Sequence, residues 1–211
     1  MEPEEGPIMT VATRTRGLQI FSRNKSVTGD LAKQMMQPPV WDEAAVQATP
    51  EFFASGGSAS VRLFSDPGGT ENDCLNLIWL RLGSNYHLPR HSHTENCLYY
   101  VASGELHLGN QTIRSGEGFF VPSEAPYTYT AGPEGAEILE FRGTARPVAS
   151  QTLESRAGWK RILENAREHR KRWVQELKPY AQWCRSVSAM EYLTRAGERR
   201  SIEIERELTE P

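Results

Sequence analysis

Between residues 75 and 142, short stretches rich in branched and aromatic side chains alternate with turn signals. That pattern points to a β-barrel or β-sandwich. Residues 75–82, LNLIWLRL, form one such stretch, and residues 60–65, SVRLFS, precede it across the turn-rich DPGGTEND of residues 66–73. Residues 105–108 and 111–114 flank Gly109-Asn110, a two-residue hairpin signal. Residues 119–122, 127–130 and 136–142 supply further strands, with Gly132-Pro133-Glu134-Gly135 read as a turn.

The chemistry concentrates in residues 85–104, NYHLPRHSHTENCLYYVASG. Successive side chains of a strand face opposite ways, so His91 and His93 share a face. Two imidazoles converging from one strand make half of a site for Zn, Fe, Cu or Ni. The same alternation carries Glu95, Cys97, Tyr99 and Val101 to that side, and backwards it reaches His87, with Pro89 interrupting.

Together with residues 116–127, GEGFFVPSEAPY, this stretch resembles the paired motifs of the cupin superfamily over about residues 60–145. His91, His93 and Gly104 match the first motif, with Asn85 at its opening glycine and Cys97 at its glutamate. Gly116 and Pro122 match the second, with Glu124 at its second glycine and Tyr127 at its histidine. The resemblance implies an all-β core, a double-stranded β-helix (jelly-roll) cupin barrel. The domain reading is an N-terminal extension over 1–59 with short helices and an edge strand over 17–22, the barrel over 60–145, and a C-terminal helical extension over 146–211. Helix breaks are expected at Pro38-Pro39 and Pro50. Trp159, Ile162, Leu163, Ala166, Trp173, Val174, Leu177, Tyr180 and Ala181 recur at helical spacing, with Pro179 interrupting the run. A short helix over 189–195 and an edge strand over 201–208 complete the expectation.

At 211 residues and 38% hydrophobic content the chain suffices for one good core. A net charge of −3 argues against a nucleic-acid surface. No apolar run approaches the ~20 residues that span a bilayer. The acidic N-terminus lacks a signal-like apolar region, and three scattered cysteines do not form a disulfide framework. These features predict a cytoplasmic protein, expected as a homodimer.

The resemblance implies a divalent transition metal (Fe, Zn, Mn or Ni) at His91 and His93. Cys97 is either a soft thiolate ligand or a neutral buried thiol, and His87 is a candidate further ligand. Tyr127 has three readings: phenolate ligand, group that orients or protonates substrate, or packing residue. Glu95 is a candidate ligand or base, and Tyr127 and Glu95 are the expected catalytic groups. Tyr99, Phe120, Tyr129 and Phe119 are expected to wall an apolar pocket for a small, partly aromatic molecule. The expected activity is that of a metal-dependent enzyme, by family analogy a dioxygenase. The alternatives are a metal-dependent isomerase or lyase, and a non-catalytic binding or sensor cupin.

Overall fold

The computed structural model describes residues 20–22, 43–65, 74–143 and 150–183. Helix α1 (Glu43–Ala54) leads into β1 (Ser58–Ser65), β2 (Asn76–Leu82), β3 (His91–His93) and β4 (Cys97–Leu108). Then come β5 (Gln111–Arg114), β6 (Gly118–Val121), β7 (Thr130–Arg142), β8 (Ser150–Thr152), helix α2 (Arg156–Glu176) and a 3₁₀ turn, Lys178–Trp183. One sheet runs β1-β2-β7-β4-β5 with β6 also on β4, the second pairs β3 with β8, and every pairing is antiparallel. The expected all-β core with a C-terminal helix is what the chain forms.

Alternation sets the core. In β4, Cys97, Tyr99 and Val101 are buried while Leu98 and Tyr100 face out. The apolar run and the hairpin arm expected at 105–108 merge into this one strand. The expected turn at residues 132–135 is instead a bulge inside β7. Gly104 pairs with Ala136 and Leu106 with Ala131, so residues 132–135 stand opposite Glu105 alone. A bulge releases Pro133 from donating to the ladder, and Gly135 supplies φ 71°. Residues 127–129 join no strand; Tyr127 is held by an isolated bridge to His91. β8 lies beyond the expected boundary at residue 145, yet it pairs with β3.

The motif frame persists in the backbone. At its four glycine positions φ is positive: 54° at Asn85, 72° at Gly104, 92° at Gly116 and 63° at Glu124. Asparagine tolerates this region and glutamate rarely enters it, so at two of these positions the loop geometry is adopted without glycine.

Helix α2 begins at Ser155, whose hydroxyl accepts from Gly158 N at 2.9 Å. Its stripe Trp159, Ile162, Ala166, Trp173 and Leu177 is buried, while Val174 falls outside the stripe and is exposed. The helix gives way at Leu177 to the 3₁₀ turn that contains Pro179. Trp173 is fully buried and donates from Nε1 to Ser84 O at 2.7 Å. A Cβ at Gly83 would lie 2.3 Å from its ring, and one at Gly57 2.7 Å, so both glycines make room for it. Helix α1 packs beside α2 through Phe52 against Trp159 and a two-point Arg167–Glu51 pair at 2.6 and 2.9 Å. Pro50 does not break α1, contrary to expectation; the helix continues through it because Ala45, Ala48, Thr49 and Phe52 bury its inner face. Among the described residues no helix is long and apolar enough to cross a membrane. The expectations at Pro38-Pro39 and over 66–73, 189–195 and 201–208, and most of that over 17–22, lie outside the described residues.

Removing the central wedge should be severe. Trp173→Ala is expected to lower unfolding free energy by about 3–5 kcal/mol in urea titrations. Gly83→Ala should also destabilise, because its new methyl meets the indole. Unchanged midpoints would contradict this packing.

Candidate metal centre

The site grows from the meeting of β3, β4 and β7. Register places Cys97 opposite Arg142 and Tyr99 opposite Glu140. Alternation then turns Cys97 and Tyr99 inward from β4, and Glu140 and Arg142 inward from β7. On the other side His91 exchanges both backbone hydrogen bonds with Tyr127, at 3.1 and 2.9 Å. Two separate pairings thus bring His91, Tyr99, Glu140 and Arg142 to a common cavity of about 150 Å³, together with His93 and the loop residue Tyr127.

His91 Nδ1–H donates to Pro89 O at 2.7 Å, which leaves Nε2 as a lone pair when the ring is neutral. Burial lowers the His91 pKa from 6.5 to about 4, against the pull of that carbonyl and of Glu140. The Nε2 atoms of His91 and His93 lie 3.2 Å apart. That separation suits two imidazoles sharing one ion at Zn–N distances of about 2.0–2.1 Å. Tyr127 Oη stands 3.0 Å from His91 Nε2 and 2.5 Å from Tyr99 Oη, and Tyr99 donates to Glu140 Oε1 at 3.0 Å. Arg142 closes the chain, with Nε 2.5 Å from the same carboxylate oxygen.

Counting protons tests whether these residues fit a metal. The chain His93–His91–Tyr127–Tyr99–Glu140 contains four close contacts. The His91 Nδ1 proton is engaged by Pro89, and Glu140 is an ion-paired carboxylate. At most three protons remain, one on His93 and one on each phenol. With both Nε2 lone pairs turned to a shared cation, two contacts remain and the two phenolic protons satisfy them. The residues therefore fit a divalent cation that accepts imidazole nitrogen, which His91 and His93 would hold.

A second donor set overlaps the first. Ligand atoms of His93, Cys97 and Glu140 lie within 4.8 Å of one another, all three residues buried. Burial, reinforced by the Glu140 charge, raises the Cys97 thiol to about 12, so it is neutral near pH 7. Its Sγ lies 3.6 Å from Glu95 O. Glu140 is already matched by Arg142, whose pKa is raised by that carboxylate against the opposing effect of burial. Tyr99 and Tyr127 are both pushed well above 10, first by burial and then by Glu140, so each keeps its proton at neutral pH.

Other expected residues fall elsewhere. His87 turns away from the imidazole pair: its Nδ1 meets Thr130 Oγ1 at 2.9 Å, and it lines a separate cleft with Arg90, Glu154 and Arg161. The turn through Pro89 destroys the parity that would have aligned it with His91. Glu95 contributes its backbone carbonyl near Cys97, and its carboxylate does not line the cavity. Phe120 is 59% exposed, because it pairs with Leu98 on the outer face of β4, and Phe119 instead stacks on Tyr99 at 4.7 Å. Tyr99 and Tyr129 do line the cavity. Sequence reasoning missed Glu140 and Arg142. Their signal was a shared parity with Ala136 and Ile138, obscured because Leu139 and Phe141 make the other face equally apolar.

No family model matches the chain, and no curated protein matches it. Among solved structures, a salicylate 1,2-dioxygenase variant from Pseudoaminobacter salicylatoxidans, in complex with gentisate, is similar at 18% identity. The match covers 47% of this chain and 30% of that one, with TM-score 0.38. An RmlC-like cupin from Shewanella frigidimarina shows 22% identity over 43% of this chain and 79% of its own, with TM-score 0.37. Oxalate decarboxylase from Bacillus subtilis shows 18% identity over 46% and 28%, with TM-score 0.39. The chain thus spans less than a third of the dioxygenase and decarboxylase chains.

Two outcomes test the site. His91→Ala and His93→Ala should each sharply reduce bound metal, measured by elemental analysis after loading, whereas Tyr127→Phe should retain it. In metal-free protein, the folded state keeps His91 neutral down to about pH 4, while the unfolded chain takes up a proton below about 6.5. Stability from neutral His91 is therefore complete above pH 6.5 and lost as pH falls towards 4. Urea midpoints should decline over that interval in the parent and decline less in His91→Gln.

Proposed function

We propose that this protein is a metal-dependent enzyme acting on a small, partly aromatic molecule, with Tyr127 as its proton donor. The observation that carries the reading is the buried contact between the imidazole pair and the Tyr127–Tyr99–Glu140 chain inside a largely apolar cavity. A divalent ion on His91 and His93 would supply Lewis acidity toward a substrate oxygen. Tyr127, whose proton rests on Tyr99 in that arrangement, lies beside this position and would turn the proton to a developing oxyanion or a leaving group. Tyr99 fixes the phenol, and Glu140 is held in turn by Arg142. Tyr129, Leu80, Leu88 and Phe52 exclude water and bind the apolar part of the substrate.

This arrangement favours isomerase or lyase chemistry, because a proton donor has been built against the imidazoles. Dioxygenase chemistry is the second reading, supported by a donor set with few protein ligands, which leaves coordination positions for substrate and O₂. Tyr127→Phe separates enzyme from binding module: turnover should fall about 10²–10⁴-fold with metal content intact. Substrate-dependent oxygen uptake by the iron-loaded parent would select the dioxygenase. A protein that takes up no metal after loading with iron, zinc, manganese or nickel would defeat both readings.

The same proposal includes a cytoplasmic homodimer that engages neither nucleic acid nor membrane. Cys74 and Cys97 are free thiols, which suits a reducing compartment. Leu98, Tyr100 and Phe120 are 43–59% exposed and adjacent on the outer face of β4 and β6, an apolar surface of the kind that subunits cover. Light scattering should give a dimer mass for the parent and a monomer mass for Leu98→Glu combined with Phe120→Glu. Equal masses would remove the dimer from the reading.

A further inference from the structure

The segment that carries Tyr127 has two sides. Tyr127 and Tyr129 line the apolar cavity, whereas Thr128 and Thr130 line a separate cleft of about 460 Å³. Helix α2 divides in the same way: Trp159 lines the cavity, and Arg161, Ile162 and Asn165 border the cleft. Apart from Gly158 and Ile162, every residue around the cleft is polar or charged. Thr128 Oγ1 donates to Leu88 O at 2.6 Å, so towards His87 it can only accept, from Nε2–H at 3.4 Å. His87 Nδ1 then accepts the Thr130 hydroxyl proton at 2.9 Å, and the neutral ring has no free nitrogen. Burial lowers the His87 pKa below 6.5, Glu154 opposes that shift, and the charge of Arg161 adds to it.

The charged groups of the cleft are unevenly engaged. Glu154 Oε2 accepts from Arg90 N and its Oε1 from Ser155 N, both at 3.1 Å. The guanidinium groups of Arg90 and Arg161 make no hydrogen bond or ion pair among the described residues. With His87 neutral, the cleft holds two positive charges against one negative. Surface arginines alone attract anions weakly and without preference. This pair differs in sharing one concave setting, beside a carboxylate that backbone N–H groups already hold. We propose that the cleft is a second ligand site, which takes a small polar molecule through a phosphate or carboxylate group bound by Arg90 and Arg161. The excess positive charge calls for an anion, and the planar N–H fork of arginine matches a phosphate or carboxylate. The rest of the ligand is hydrophilic, because an apolar body would leave the polar lining without partners. The site requires no metal at the imidazole pair.

Inorganic phosphate and acetate serve as probes, titrated into chelator-treated protein at constant ionic strength and about pH 7.5, where His87 is neutral. The His87 ring resonances, assigned by their absence from His87→Gln, report occupancy. At least one probe should shift them saturably. Phosphate alone marks a phosphate-bearing ligand, acetate alone a carboxylate, and both together the shared oxyanion chemistry. Arg90→Gln and Arg161→Gln should each weaken that binding about tenfold or more, the worth of a hydrogen bond to a charged group. Arg156→Gln removes the same charge from the same helix outside the cleft, and should leave affinity within about twofold. All three side chains are exposed, so the substitutions spare the core. No saturable shift with either probe, unchanged affinity in Arg90→Gln or Arg161→Gln, or equal weakening by Arg156→Gln overturns the inference.

Discussion

The register between β4 and β7 is the constraint on which the site depends. Pairing of Cys97 with Arg142 and of Tyr99 with Glu140 stacks thiol, phenol, carboxylate and guanidinium on one inner face. A slip of β7 by one residue would turn Glu140 and Arg142 outward and set Leu139 and Phe141 beside Cys97 and Tyr99 in their place. Because both faces of β7 contain large apolar residues, hydrophobicity alone does not choose between these registers. The choice is reinforced by the Arg142–Glu140 pair and by the Tyr99 hydrogen bond. Such a buried pair is weak evidence of net stability, since desolvation opposes the attraction, but breaking it by removing one partner would leave an uncompensated charge.

That pair also shapes the chemistry at a distance. The Glu140 charge contributes to raising the phenols of Tyr99 and Tyr127 and the thiol of Cys97, after burial has raised each of them. The outcome is a site whose two phenols and thiol are protonated and whose His91 imidazole is neutral. On the proposed reading, such a site would take a cation through nitrogen lone pairs with a phenolic proton beside it.

Helix α2 plays a larger part than that of an external brace. Trp173 anchors it over Gly57 and Gly83, where only glycine leaves space, and Trp159 then reaches the cavity from the same stripe. The helix thus both packs on the β core and walls part of its cavity. A change at Trp173 would be felt through both.

Much was determined by the sequence alone. Period-two alternation specified the inward set Cys97, Tyr99 and Val101, and the cupin-like spacing located the imidazole pair and the loops. Four positions in that frame take positive φ even where Asn85 and Glu124 stand for glycine, because backbone closure there is a local demand. The helical period announced the stripe of α2 as well. What local pattern did not determine was long-range partnership. Glu140 and Arg142 looked like half of an ordinary alternating strand until register set them against Tyr99 and Cys97. His87 shared a parity with His91 that the chain loses at Pro89, and Phe120 lay one residue from the inward position. Trp159 had the spacing of a core residue, and only the docking of α2 against the β core placed it in the wall of the cavity. Alternation is a property of neighbouring residues, whereas a site is assembled across strands, so its membership was decided by tertiary pairing.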